Sequence, residues 1–428
     1  MFAPGEARGM AGLSMAQCPI IRVTSGPKHH FFGYYDKCPW DATGRYLLAM
    51  EVDFQDRLPG PDDVAVIGLV DLAHGNHFQP VAETKAWNFQ QGAMAQWLPS
   101  APDRAIIFND RMGNRLVSVI LDIHTGRRRE LPLPVYAVAP NGRYALSVNF
   151  ARVRYNYPGV SDPWEDDPAP REDGIYWMDL ETGQHRLILS YADVAAFHHH
   201  SAMEGRKHWI EHLMINPDST RFLFLHRFSL PDGGFCSRLL TANPDGSDLY
   251  LLAEGMVSHM CWRDSTQILA WTRRNRITTK ARYRGLFTKP LFRQVLNWAR
   301  RHDRGWIRQR VIGDSFLLFT DRTPEIEPVG LGILTEDGHC TYSPDGQWIL
   351  TDTYPDHKAQ RSLMLYHPAS QRVILLGKFD SPILEGPTRC DLHPRWNRLG
   401  NTVCFDSTHE GSRQIYLAEV TDIVSSFC

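Results

Sequence analysis

The sequence predicts an all-β chain folded as a seven-bladed β-propeller, and three observations carry that prediction. An aromatic residue or an Asn/Ser-Pro pair, followed by Asp or Asn, Gly and a basic residue, recurs in full or weaker form seven times, each time ahead of a β-rich run. A strand–polar turn–strand phrase follows each copy, again seven times. Composition agrees, because Phe 20, Trp 12 and Tyr 15 stand beside Gly 32 and Pro 28, the strand and turn formers that many short strands require. Hydrophobic residues at 43% and charged residues at 22% are ordinary globular usage, which excludes disorder, a collagen-like chain and a small disulfide scaffold.

The copies run in order along the chain. Trp40-Asp41-Ala42-Thr43-Gly44-Arg45 precedes the first run, and Trp97-Leu98-Pro99 the second. Ala139-Pro140-Asn141-Gly142-Arg143, Asn216-Pro217-Asp218 and Cys261-Trp262-Arg263-Asp264 open the next three, and Ser343-Pro344-Asp345-Gly346 and Arg395-Trp396-Asn397 the last two. Residues 1–18 read as an N-terminal tail and 19–428 as one propeller. The seventh blade lacks a clear fourth strand near Cys428, so residues 19–23 are expected to supply it and close the ring.

Two insertions interrupt the pattern, both between the second and third strands of a blade. Residues 151–174 form an acidic, Pro-rich loop. Residues 273–310 hold thirteen Lys and Arg against the single acid Asp303, with Leu286, Phe287, Leu291, Phe292, Val295, Leu296 and Trp298 approximating a helical stripe. That segment is expected to be a basic helical insert, either a lid over the propeller face or a docking element for a membrane surface or a protein.

The formal charge of −2 gives no pull towards nucleic acid. The eight cysteines show no CxxC pair or disulfide framework, the opening residues lack the apolar run of a signal peptide, and no stretch approaches a membrane span. A cytoplasmic protein with reduced thiols is the expectation. Nucleotide-binding glycine loops, GxSxG elbows and HExxH motifs do not occur, so dehydrogenase, kinase and serine hydrolase readings have no support.

In a propeller the first strand of each blade lines the central channel. Counting back from the repeat phrase, four consecutive blades place a histidine near one register: His212, His259, His339 and His393, with Cys340 and Cys390 beside two of them. Imidazole and thiolate are transition-metal ligands, so a divalent zinc or manganese ion is expected here. His208 begins a channel strand, and the segment 26–41 brings His29, His30, Tyr34, Tyr35 and Asp36 to the entry of the first blade. Tyrosine and arginine on the long 151–174 loop suit an anionic sugar, because arginine pairs bidentately with carboxylate or sulfate.

GPKHHFFGYYDKCPWD, HWIEHLMINPDSTRFLFLHRF, DGHCTYSPDGQWILTDTYPD and CDLHPRW together with DSTHEGSRQIY resemble the seven-bladed propeller polysaccharide lyases, ulvan lyases more nearly and oligogalacturonate lyases more distantly. The resemblance runs from about residue 26 over nearly all the chain except the basic insert. It implies β-elimination on a uronate-containing glycan, with Tyr155 matching the catalytic tyrosine and Arg171 the carboxylate-binding arginine. It places His259, His339, Cys340, Cys390 and His393 in the region of the metal site. Where the ulvan enzymes carry a histidine pair, this chain offers Gln91 and Asn109. Amides hold a carboxylate but are poor bases, which leaves Tyr155 or His208 to take the proton. A non-catalytic propeller that binds glycan or protein through the same face is the second expectation.

Overall fold

The computed structural model describes residues 13–15, 18–273, 283, 309, 313–382 and 386–426. Seven sheets follow one another along the chain, each with its strands antiparallel in sequence order, as the repeat predicts. Blade 1 runs His29–Phe31, Tyr46–Val52, Ala65–Asp71, His77–Thr84, and the same order repeats to blade 7, Arg395–Trp396, Thr402–Ser407, Gln414–Glu419.

The ring closes as expected. Ile20–Arg22 pairs antiparallel with the last strand of blade 7, Ile20 opposite Ala418 and Arg22 opposite Tyr416. The stretch read as a tail departs from that reading, because Leu13–Met15 adds a fifth strand parallel to Arg372–Asp380 of blade 6. The chain start therefore ties blade 6 to blade 7.

The repeat phrase has a physical reason in each blade. Its first polar side chain caps the hairpin between strands one and two: Asn216 Oδ1 accepts from the amides of Thr220 and Arg221, and Ser343 Oγ from that of Trp348. Its tryptophan ties neighbouring blades, Trp97 Nε1 donating to Pro39 O and Trp262 Nε1 to Met214 O. Gly142 sits at φ +69°, and an added Cβ would lie 3.0 Å from the Ser100 amide of the preceding blade, so both conformation and space demand glycine. Between blades the apolar faces pack directly, as where Ile175 and Leu189 of blade 3 meet Ile210, Phe222 and Phe224 of blade 4. Each such fully buried side chain contributes about 1.5–3 kcal/mol.

Among the described residues the α-helices are short, Tyr191–Ala196 and Thr421–Ser425, the first capped reciprocally by Ser190 and Asp193. Residues 273–310 join the second and third strands of blade 5, as expected. Apart from Arg273, Tyr283 and Gln309, the helix expected there lies outside the described residues.

Residues 151–174 occupy the equivalent position in blade 3, and the loop folds around one buried guanidinium. Arg152 donates through Nε to His208 O at 2.8 Å and through Nη1 to Trp164 O at 2.9 Å, and it pairs with Asp162 at 3.1 Å. Asn149 Nδ2 joins the carboxylates of Asp162 and Asp173 from below. The loop is thereby held against the blade, with Tyr155 near its start.

Candidate active site

The channel is closed by a plug from blade 1. Between its first two strands the segment 32–37 enters the axis, with Tyr34 and Tyr35 buried. Tyr35 Oη donates to Met260 O and accepts from Met260 N, and Arg395 holds Gly33 O at 2.7 Å, so the plug is bonded to blades 5 and 7. Gly33 has φ +140°, and an added Cβ would lie 2.8 Å from Gln91 O. Above the plug lies a cavity of about 320 Å³ lined by Tyr34, Gln91, Arg154, Tyr155, His212, His259, Asp337, His339, Tyr354, Arg389 and His393 among others.

The four register-matched histidines all reach this cavity. Tyr34 stacks near His212 and His393, and the His339 ring lies 4.1 Å from that of His259 and 4.3 Å from that of His393. Three of them are anchored in the same way. His259 Nδ1 is 2.9 Å from Asp337 Oδ1, His339 Nδ1 is 2.9 Å from Asp352 Oδ2, and His393 Nδ1 is 2.8 Å from Gly33 O. Carboxylate and carbonyl only accept, so each Nδ1 carries a proton, and the lone pair of a neutral ring lies at Nε2. Among the described residues, buried His393 Nε2 has no hydrogen-bond partner. Burial keeps His339 and His393 neutral, and burial together with His259 and His339 pushes His212 down to about 3.

His339, His393 and Asp391 bring one ligand atom each within 4.8 Å of one another. Two neutral imidazoles, held at Nδ1 by Asp352 and by Gly33 O, and one carboxylate suit a divalent transition ion, so the donor set fits the expected metal. Asp391 is fully buried, and against that desolvation Arg361 and Arg389 hold its carboxyl below the usual range.

Three guanidinium groups line the cavity as well, those of Arg154, Arg227 and Arg389. Arg227 is bonded to Glu211 and compensated by it. Arg154 lies over Phe235 at 5.1 Å and Tyr155 at 5.3 Å, and among the described residues its guanidinium has no carboxylate partner. Arg389 bonds Asp391 and Tyr155 Oη, the latter at 3.0 Å. Imidazoles and guanidinium groups thus line one cavity.

Of the residues expected to take part in catalysis, Tyr155 and Gln91 line this cavity, Gln91 through a 2.8 Å bond from Nε2 to Tyr136 Oη. The others are placed elsewhere. Arg171 is exposed on the outside of the loop, because the loop closes around Arg152 instead. His208 stacks on His226, with Nδ1 2.8 Å from His226 Nε2; a bulge between Glu211 and Met214 puts it out of phase with His212. Asn109 spends its amide on Val135 N and O, joining blade 2 to blade 3. His30 is buried between Gln414 and Glu51.

The two cysteines also face away. Strand alternation turns Cys340 from His339 into an apolar cluster with Cys261, Leu269 and Ile349. Burial raises both thiols, Cys390 to about 11, which disfavours the thiolate a metal needs. Arg154, Asp337, Arg389 and Asp391 were not anticipated. The alternation Arg389, Asp391, His393 marks the last two, as three polar residues at every second position; Arg154 and Asp337 carry no such signal.

Fold and site define a seven-bladed β-propeller with a histidine-walled pocket at the end of a plugged channel. Solved structures with this fold include the oligogalacturonate lyase of Vibrio parahaemolyticus (15% identity, TM-score 0.60, 96% of this chain and 98% of that one). An oligogalacturonate lyase in complex with manganese is similar to the same degree (15%, TM-score 0.59, 95% of each chain). A prolyl endopeptidase shares the architecture at 9% identity and TM-score 0.51, over 92% of this chain and 48% of that one. No protein-family model and no curated protein matches the chain.

Proposed function

We propose that the protein is a lyase that cleaves uronate-containing oligosaccharides by β-elimination. The observation that carries the reading is one cavity lined both by imidazoles, those of His259, His339 and His393 held at Nδ1 by Asp337, Asp352 and Gly33, and by the cations Arg154 and Arg389. The likeness to the manganese-bound oligogalacturonate lyase supports it in fold.

The C5 proton of a uronate becomes acidic when its carboxylate is neutralised. Arg154, which lies over Phe235 and has no carboxylate partner among the described residues, is placed to take that carboxylate bidentately. His339, His393 and Asp391 would hold a divalent ion, manganese or zinc, which supplies further positive charge to the carboxylate when bound. His259 Nε2 takes the C5 proton, and Asp337 fixes its tautomer and stabilises the imidazolium that results. The C4–O4 bond breaks as the C4–C5 double bond forms, and the leaving oxygen receives a proton from Tyr155 Oη. His259 replaces His208 as base, since His208 does not reach the cavity.

The test is a panel of uronate oligosaccharides incubated with protein and Mn²⁺ or Zn²⁺, read by the ultraviolet absorbance of the conjugated unsaturated uronate. His259→Gln is expected to lower kcat by about 10²–10⁴-fold while metal content is unchanged. Binding of the glycans without product from any of them would reject the lyase and leave a glycan-binding propeller.

A further inference from the structure

We propose that Arg389 is a positioning residue that makes Tyr155 a proton donor and joins it to the carboxylate of the candidate metal centre. This rests on the lyase reading above and assigns a role inside it.

Arg389 divides its donors among three partners. Nε lies 3.0 Å from Asp391 Oδ1 and Nη2 2.8 Å from Asp391 Oδ2, while Nη1 donates to Tyr155 Oη at 3.0 Å and to Gly386 O at 3.1 Å. Its backbone is held as well, the carbonyl accepting from Gln90 Nε2 and Arg413 Nη2, both at 2.9 Å. Asp391 is braced from the other side by Arg361 Nη2 at 2.8 Å. The guanidinium therefore has little freedom, and Tyr155 is attached to it from a different blade. The Tyr155 end is fixed too, since Asn88 Nδ2 donates to Tyr155 O at 2.8 Å.

The chemistry follows from what a guanidinium is able to do. It only donates, so towards Arg389 the phenol oxygen is an acceptor and the phenol proton must point elsewhere. Tyr155 lines the cavity, and the proton is directed there. When it passes to the departing O4, the O–H bond of Tyr155 breaks, the O4–H bond forms, and the phenolate left behind sits 3.0 Å from a fixed cation. His259 holds the proton taken from C5, so the two transfers balance and the product leaves as a neutral alcohol and an unsaturated uronate. Return of a proton to Tyr155 from water restores the resting state as His259 releases its own.

The discriminating probe is leaving-group dependence in the Mn²⁺-loaded protein. One hexuronate substrate carries a sugar alcohol at C4, and the second carries 4-nitrophenolate, which departs without protonation. Arg389→Lys, which keeps the charge but not the fork, is expected to lower kcat on the sugar substrate about 10²-fold, with KM changed less than about threefold. On the nitrophenolate substrate the loss is expected to stay within about threefold. Combined with Tyr155→Phe, Arg389→Lys is expected to cost little more than Tyr155→Phe alone, because both remove the same proton delivery. Arg389→Gln serves as the second variant, and manganese content and thermal unfolding accompany each. Equal losses on the two substrates, a rise in KM without loss of kcat, or additive effects with Tyr155→Phe overturn the proposal. A wild-type protein inert towards both substrates overturns the lyase reading instead.

Discussion

His208 and His226 stack with rings 5.0 Å apart and share one hydrogen bond, and Arg238 Nη1 lies 3.3 Å from His226 Nδ1. Burial, with a smaller contribution from Arg238, pushes His208 from 6.5 down to about 4, and His226 falls in the same direction. The unfolded chain therefore binds more protons than the folded one below the ordinary histidine value. Stability is full above that value and falls as the pH drops through the window from 6.5 towards 4. Urea midpoints are expected to decline steadily across this window, and His208→Gln to flatten the slope; an unchanged slope would remove the pair as its source. Asn109 gives a second prediction at this scale. Asn109→Ala leaves both backbone groups of Val135 unpaired between two blades and is expected to cost about 2 kcal/mol or more in urea unfolding. Turnover per folded molecule is expected to stay unchanged, the reverse of what a carboxylate-binding role would give.

Which residues reach the cavity was legible only where elements are regular. His259, His339 and His393 followed from their count back from the repeat phrase, since the innermost strands begin alike. His208 failed because a bulge between Glu211 and Met214, at His212 itself, resets the alternation, and bulges leave no mark in the alternation of polar and apolar residues. Arg171 failed because a long loop takes its shape from one buried ion pair, here Arg152 with Asp162, and which arginine is buried depends on tertiary partners. The plug at 32–37 was visible as an unusual segment, but not as something crossing the axis. The ring closure is the clearest success at the scale of elements, and it carries a prediction. Among the described residues, deleting 1–17 removes the fifth strand of blade 6, while deleting 1–23 also strips the closing strand that pairs with Gln414–Glu419. Hydrogen exchange at the Gln414–Glu419 amides is expected to stay slow in the first variant and become fast in the second. Slow exchange in both would show that the closing strand is dispensable.

At the scale of the molecule, the propeller brings side chains from blades far apart in sequence onto one small pocket. Arg154 and Tyr155 come from blade 3, His259 from blade 5, His339 from the entry to blade 6, and Arg389, Asp391 and His393 from the entry to blade 7. No blade holds a complete site, so the pocket exists only in the closed ring, and the chemistry depends on the closing strand. The plug makes the pocket blind on its inner side, which fixes one face as entrance and keeps the histidine wall away from bulk water.

On the proposed function, this pocket performs metal-assisted elimination on a uronate. The most direct measurement is turnover of a uronate oligosaccharide panel by Mn²⁺-loaded wild-type protein, with bound manganese counted on the same sample. About one manganese per chain, and unsaturated product that disappears in His259→Gln while the manganese stays, is the predicted result. Manganese and glycan both bound, with no product from any uronate, would contradict it.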